Sequence, residues 1–492
     1  MEVGGSAREF ANWIGEIIRF DLSENEDSYV FSRDSLGQDF NLEIEKHNIL
    51  IGVQRMRITN STFRGGEPSS ANACVGSNGS PSYVEYAKGF SKAANLIIDQ
   101  ALDRENTHFH VDDMVYPACF NMRHSVELRL KGAIEDLEVI AKWKGRRIEF
   151  NLVSSHDIGN IWAFFKQESE TLDIRYQALN EKIKPTILDI ADVDATGQTF
   201  RYAVDRESQR HLTDVAIINF NVLKAKFTSL EKELDNLLFL TEFLREEYSL
   251  NTFTTKLSRQ QLFSLADELP NITSWRNNSF KETKKKLMEQ FSLGSRDLSK
   301  AIDIIKSNYE LNHKIDSRLP LKGIDEYDLI WFLDFWMDLH PEILSRQSKK
   351  SGLVKLDVNS AMESLERSAK VKAKFWENMN GYLTPESLAG LNAIFYFARD
   401  KQFSERYVTF YENELKESTM YFKEDSNSVW RSIMHIADKK NFFDNLVMSL
   451  FFLYYDDLAE ELIEIYGVSD AFNWLDKART RELFSLPELA GY

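Results

Sequence analysis

The chain is poor in cysteine, proline and glycine. Only two cysteines occur in 492 residues, Cys74 and Cys119. They exclude a disulfide scaffold and a cysteine-based zinc site, while a single bridge between them stays open. The nine prolines and 21 glycines fall below ordinary usage. That shortage argues against a collagenous or turn-rich all-β chain and favours helices. Basic residues are also short: 60 Lys+Arg against 77 Asp+Glu leave a net charge of −17. Such a balance disfavours nucleic-acid binding by the whole surface but leaves room for a local basic site. Long apolar runs are missing too. The most apolar stretch, Leu446–Tyr455, is about half of a bilayer span and runs directly into Asp456 and Asp457. The first residues, MEVGGSAREF, have no basic segment followed by an apolar one. A cytoplasmic protein with no membrane partner is therefore expected. No G-x4-GK[ST], G-x-G-x-x-G, HExxH or G-x-S-x-G motif is present, so P-loop, dinucleotide, zinc-protease and α/β-hydrolase chemistry lack their usual signs.

What is present is mostly helical pattern. Residues 1–82 differ from the rest. Tyr29–Phe31, Leu42–Ile44 and Ile49–Thr59 cluster or alternate β-favouring residues, and a Gly/Ser/Asn/Pro-rich linker follows. From Tyr83 the apolar residues recur every three or four positions: Tyr83, Tyr86, Phe90, Ala94, Leu96, Ile97 and Ala101. A second helix is expected over Asp113–Ile140, a short β excursion over Trp143–Val153, and helices over His156–Glu170 and Arg175–Ile190. Pro185 is expected to end or kink the last of these. The longest helical pattern covers His211–Tyr248. Beyond it, helical segments continue to the end, among them Glu386–Arg399, capped by Thr384 before Pro385, and Phe442–Ile465. The expected fold class is mainly α: a small β-containing N-terminal part over 1–82, a helical bundle over 83–250 and a second helical region over 251–492.

The most informative segment is Tyr116–Ile134, YPACFNMRHSVELRLKGAI. On a helix, Cys119, Met122, Val126, Leu130, Ala133 and Leu137 fall within about 40° of one direction. Arg123, Glu127 and Lys131 then form a ladder at i, i+4 and i+8, climbing from the edge of that apolar face. His124 points to the other side. One reading is a surface salt-bridge ladder. The other is a partly buried polar cluster with a role in catalysis, to which His156 belongs as a further candidate. In the structural reading of that segment, Ser154 or Ser155 caps a helix and Asp157 lies in its first turn.

These residues also carry a resemblance. Tyr83–Ala101, the Tyr116–Ile134 segment and SSHDIGNIW at Ser154–Trp162 resemble the HEPN superfamily of helical domains. They are most similar to an uncharacterised bacterial branch whose second helix reads YP-x3-L-x-RH-x2-ELxLK. Tyr116, Pro117, Arg123, His124, Glu127, Leu128 and Lys131 meet that pattern. His156, Asp157, Ile158, Ile161 and Trp162 meet a second element, and Phe200, Arg201 and Tyr202 a third. The resemblance covers about a third of the chain. It implies a four- or five-helix bundle, often a homo-oligomer or bound to a partner protein subunit, from a prokaryotic defence (anti-phage) or toxin-type system. Catalytic members are metal-independent ribonucleases with an R-x4-6-H motif. Two such spacings occur here, Arg104…His110 and Arg206…His211, and with nine histidines roughly one or two matches arise by chance. Arg206 and His211 are the better-placed pair. There, an Arg would stabilise phosphorane charge while the His took a proton from a ribose 2′-OH.

Two basic runs could touch RNA phosphates: Lys142, Lys144, Arg146 and Arg147, interleaved with Trp143, and Lys281 with Lys284–Lys286. His108 and His110 have no matching ligand cluster elsewhere, so no metal and no cofactor is expected. The competing expectation is a non-catalytic helical scaffold or interaction subunit.

Overall fold

The computed structural model describes residues 21–24, 28–32, 41–45, 61–103, 108–204, 208–345 and 358–492. The chain divides into two compact units, Met1–Ser82 and Tyr83–Tyr492. In the first, β1 (Asp21–Glu24), β2 (Ser28–Ser32) and β3 (Asn41–Glu45) pair antiparallel in that order, with Tyr29 opposite Ile44 and Phe31 opposite Leu42. The strand expected at Ile49–Thr59 lies outside the described residues.

The second unit is mainly helical and opens with a bundle. Its members are α1 (Tyr83–Leu102), α2 (Val111–Trp143), α3 (Ile158–Leu172), α4 (Tyr176–Asp194) and α5 (Phe220–Ser249). The spine is α2, whose Val126, Leu130, Ile134, Leu137 and Ile140 meet Ile161 and Phe165 of α3, Ile183 and Ile187 of α4, and Leu234 and Leu240 of α5 in one core. The apolar stripe expected on α1 is displaced. Ala87, Ser91, Ala94 and Ile98 are its buried residues, while Tyr86 and Leu96 are exposed. The cause is close approach: a Cβ on Gly132 of α2 would lie 3.2 Å from Tyr83 Cβ. Small side chains fit such a seam and large ones are turned outward. Three boundaries also depart from expectation. Trp143–Val153 forms no strand: Trp143 ends α2, and the described residues that follow are irregular. Pro185 sits inside α4, which runs on to Asp194 because Ile183 and Ile187 are buried on either side of the proline. Helix α5 begins at Phe220 rather than His211, where the Asn219 side chain accepts from the Asn221 and Val222 amides.

A second core, from Leu257 to Ile315, is built on α6 (Arg259–Glu268), α7 (Ser279–Gln290), α8 (Ser295–Ser307) and α9 (Tyr309–His313). The third and largest lies among α10 (Glu326–Leu339), α11 (Val358–Met379), α12 (Pro385–Phe397), α13 (Glu405–Glu424), α14 (Ser426–Ala437), α15 (Phe442–Phe452), α16 (Asp456–Tyr466) and α17 (Leu475–Arg479). Thr384 caps α12 with Pro385 at its first position. The helix expected over Phe442–Ile465 is two, because the chain turns at Tyr454 with φ +61°.

Two arginines with enclosed side chains tie the chain together: Arg175 fastens its C-terminal end to the bundle, and Arg259 links the second and third cores. Arg175 donates Nε to Asp173 Oδ1 at 2.9 Å and Nη1 to Glu247 Oε2 at 3.0 Å and to the Ala490 carbonyl at 3.1 Å. Arg259 donates Nε to Glu405 Oε1 at 3.0 Å, contacts Glu310, and donates to the Tyr492 hydroxyl. Phe403 and Ala490, from the far end of the chain, complete the bundle core. Among the described residues no helix is long and apolar enough to cross a membrane.

Candidate functional site

The Arg123–Glu127–Lys131 ladder is buried. Its residues retain 2%, 2% and 4% of their accessible surface, so α2 is enclosed well beyond its apolar stripe. Arg123 donates Nε to the Asp194 carbonyl at 3.1 Å, Nη2 to the Ala195 carbonyl at 2.7 Å and to the His156 carbonyl, and Nη1 to Glu127 Oε2. Two of these acceptors are end-of-helix carbonyls of α4, which otherwise have no intrahelical donor. Gly197 lies against the guanidinium with φ +74°; a Cβ there would stand 3.2 Å from Arg123 Nη1. Nε and Nη2 of Arg123 therefore hold the α4 end and the segment before α3 onto α2, while Nη1 pairs with Glu127 on α2 itself. Lys131 Nζ sits 2.8 Å from Glu127 Oε1.

Glu127 is the hub. Burial pushes its carboxyl up, but the nearby His124 ring and the hydrogen-bonded Lys131 and Arg123 outweigh that and hold it well below the usual carboxylate range. The same carboxylate reaches two imidazoles. His156 Nδ1 lies 3.0 Å from Glu127 Oε1, on a side chain 59% exposed. His124 Nδ1 lies 3.9 Å from Oε2, and its ring packs edge-on against Phe90 and stacks on Phe120. Because Glu127 is held ionised, it accepts from His156 Nδ1–H. The Nε2 of a neutral His156 is then the lone-pair nitrogen, the arrangement of an oriented general base. Asp157 caps α3 by accepting from the Asn160 amide at 2.9 Å, which fixes the chain next to His156.

Beside this cluster runs a groove of about 960 Å³ between the start of α2 and the described residues of the segment Thr199–Ile218. Asp112 and Tyr116 line it from α2, and Arg201, Tyr202, Arg210 and His211 from the segment. The segment is shaped by left-handed residues at Ser208 (φ 63°) and Leu212 (φ 58°) and by a bridge between Val204 and Arg210. His211 is half-buried and its Nε2 has no hydrogen-bond partner among the described residues. The Arg201 guanidinium lies over the Phe120 ring at 5.4 Å and the Tyr202 ring at 5.5 Å. Phe120 in turn stacks on His124, so the groove and the Glu127 cluster are joined by direct contacts. Neither Arg201 nor Arg210 has a carboxylate within ion-pair distance among the described residues. Sequence reading singled out His211 and the Phe200–Tyr202 element but did not join them, because no helical or strand period links the two. Arg206 lies outside the described residues.

The basic run after α2 is divided by the fold. Lys144 is buried; its ammonium donates to the Leu172 carbonyl at 2.7 Å and lies over the Tyr248 ring at 5.2 Å. Arg146 pairs with Glu168 at 3.2 Å and Arg147 with Glu149 at 2.5 Å. Of Lys142, Lys144, Arg146 and Arg147, Lys144 is thus turned inward, while Arg146 and Arg147 are paired at the surface. In the second run, Lys284 lies over Phe280 and Lys286 stands 3.7 Å from Glu268. No family model, curated protein or solved structure matches the chain.

Proposed function

We propose that the chain is a HEPN-like protein of a prokaryotic defence or toxin-type system, with a small β-containing N-terminal part and a HEPN-like bundle over 83–250, and that it binds RNA. The observation that carries this reading is the groove between α2 and Thr199–Ile218, where Arg201, Arg210 and His211 converge with Tyr116 and Tyr202. Unpaired guanidinium groups meet phosphate, and exposed aromatic rings stack on bases; single-stranded nucleic acid is held by that combination. The overall charge of −17 does not oppose it, since among the described residues Asp112 is the only carboxylate residue lining the groove.

In this reading Arg123, Glu127 and Lys131 frame the site rather than touch substrate. Two groups remain for metal-independent chemistry. His156, oriented by Glu127, would take the proton of a ribose 2′-OH, and an arginine of the groove would neutralise the charge developing on phosphorus. His211, with Arg206, is the second pair for the same two roles. The protein works as a homo-oligomer or with a partner protein subunit, as the resemblance implies.

The test is cleavage and binding of a short single-stranded RNA in the presence of EDTA, comparing wild type, His156→Ala, His211→Ala and Arg201→Ala. Binding lost in Arg201→Ala, with cleavage lost in one histidine variant and binding kept, supports the reading. Equal cleavage by all four, or no binding by any, removes it. A second reading, a non-catalytic interaction subunit, is favoured by the apolar rim of the groove: Val111, Tyr202, Val204 and Ile217 are 44%, 53%, 44% and 88% exposed. RNA binding that survives loss of both histidines without any cleavage would select a binding role over a catalytic one.

A further inference from the structure

A second cavity, of about 430 Å³, lies in the C-terminal region where α12, α13 and α14 meet. It is remote in sequence from the groove, and nothing in the RNA reading uses it. Its chemistry is acidic and aromatic. Glu414, Glu417 and Glu424 line it from α13 together with Tyr421, and Asn392 and Tyr396 line it from α12. The spacing of the α13 residues, at i, i+3, i+7 and i+10, places them along one helix face.

The polar groups at the rim are in contact with one another. Tyr421 donates its hydroxyl to Glu417 Oε2 at 3.2 Å, and Ser428 donates to Glu424 Oε2 at 3.0 Å. The His435 Nε2 and Tyr396 hydroxyl are 2.7 Å apart. Arg431 donates to the Ser428 hydroxyl at 3.2 Å and forms no ion pair with the three glutamates. At the inner end two groups are left over. Asn392 is 3% exposed and its amide nitrogen has no partner among the described residues. Glu414 is half-buried, has no hydrogen bond or ion pair there, and burial with the nearby Glu417 charge pushes its carboxyl up to about 7. A buried amide without a partner is rare in folded proteins and asks for an occupant. The Asn392 amide can turn by 180° and present its oxygen instead of its nitrogen.

We propose that this cavity binds a small linear organic cation of the polyamine class. One ammonium group would donate to Glu414 and the Asn392 amide oxygen. A second would meet Glu417 or Glu424 at the rim, with the methylene stem along the faces of Tyr396 and Tyr421. Rings flanking carboxylates suit an alkylammonium ion, which is held by both charge and π-face. An anion would face three carboxylates. A divalent metal is a poorer fit, because among the described residues no three His, Cys, Asp or Glu side chains stand close enough to hold one ion.

Isothermal titration calorimetry of the full chain with spermidine tests this, with magnesium chloride at matched ionic strength as the control cation. The expected result is one saturable site in wild type, weakened about tenfold or more in Glu414→Gln and in Asn392→Ala. Glu417→Gln, altered at the exposed rim, should also weaken binding and serves if either inner variant does not fold, as judged by circular dichroism. Glu461→Gln, an exposed acid outside the cavity, should bind as wild type. Unchanged affinity in Glu414→Gln and Glu417→Gln, heat from magnesium equal to that from spermidine, or no saturable site would each overturn the proposal.

Discussion

At the scale of single residues, buried charge is the feature that most distinguishes this chain. Glu127 is nearly inaccessible, yet it is kept ionised by two cations and a histidine on neighbouring turns and loops. Glu127→Gln leaves Arg123 and Lys131 buried without their counter-charge, and a loss of about 3–5 kcal/mol at neutral pH is expected, read by urea unfolding. The pH dependence has a definite sign. The folded-state carboxyl lies below its unfolded value of about 4.5, so its stabilisation is full above that pH and is lost as pH falls further. The gap between wild type and Glu127→Gln should therefore narrow in acid. Glu414 is the opposite case. Its folded carboxyl stands at about 7 against an unfolded value of 4.5, so stability falls as pH rises through that window. Among its neighbours, Glu417 adds to this, while Arg431 and His435 face the same cavity without pairing with it. Glu414→Gln should melt higher than wild type at pH 8 and no higher near pH 4, and equal melting at both would contradict the assignment. The grouping of Arg123, Glu127 and Lys131 was legible in advance from their four-residue spacing, while their burial was one of two readings that the border of an apolar stripe left open. The pairing of Arg175 was not legible: its partner Glu247 lies 72 residues away, and no local period announces such a pair.

At the scale of helices, close backbone approach decided where the sequence was misleading. Amphipathic spacing on α1 suggested a face of large side chains, whereas the fold buries the small ones because α2 comes near at Gly132. The start of α5 was misplaced for another reason. Apolar residues continue upstream of Phe220, but the Asn219 cap and the left-handed Leu212 keep them out of the helix. The Thr384 start of α12 was readable because a hydroxyl cap followed by proline is a local signal. Glycines provide the test at this scale. A Cβ on Gly390 of α12 would stand 2.5 Å from the Lys322 carbonyl, so Gly390→Ala should cost about 1–3 kcal/mol despite its better helix propensity. Gly89 in α1 has nothing within 4 Å of such a Cβ, and Gly89→Ala should stabilise by about 0.5–1 kcal/mol. Chemical denaturation of the two variants side by side checks both signs.

For the molecule as a whole, Tyr83–Tyr492 is a single compact unit although its described residues form three large hydrophobic cores. The Arg259 cluster explains this, joining α6, α9, α13 and the last residue of the chain through one guanidinium. Arg259→Ala leaves Glu310 and Glu405 adjacent without their counter-charge, and calorimetry should show one unfolding transition in wild type and two in the variant. One transition with unchanged midpoint would show that the cores are coupled by other contacts. Sequence reading reached the mainly helical class from composition and periodicity, but not this junction, whose members are scattered over more than two hundred residues. The groove matters most for function, and salt is its most direct probe. Binding of single-stranded RNA should weaken with a linear log–log dependence on salt, and each lost phosphate contact should lower the slope by about 0.7. Measured by fluorescence anisotropy, the Arg201→Ala, Arg210→Ala double variant is expected to lose roughly 1.4 from the wild-type slope. A slope identical to wild type, or no RNA binding by either protein, would contradict the assignment of this groove.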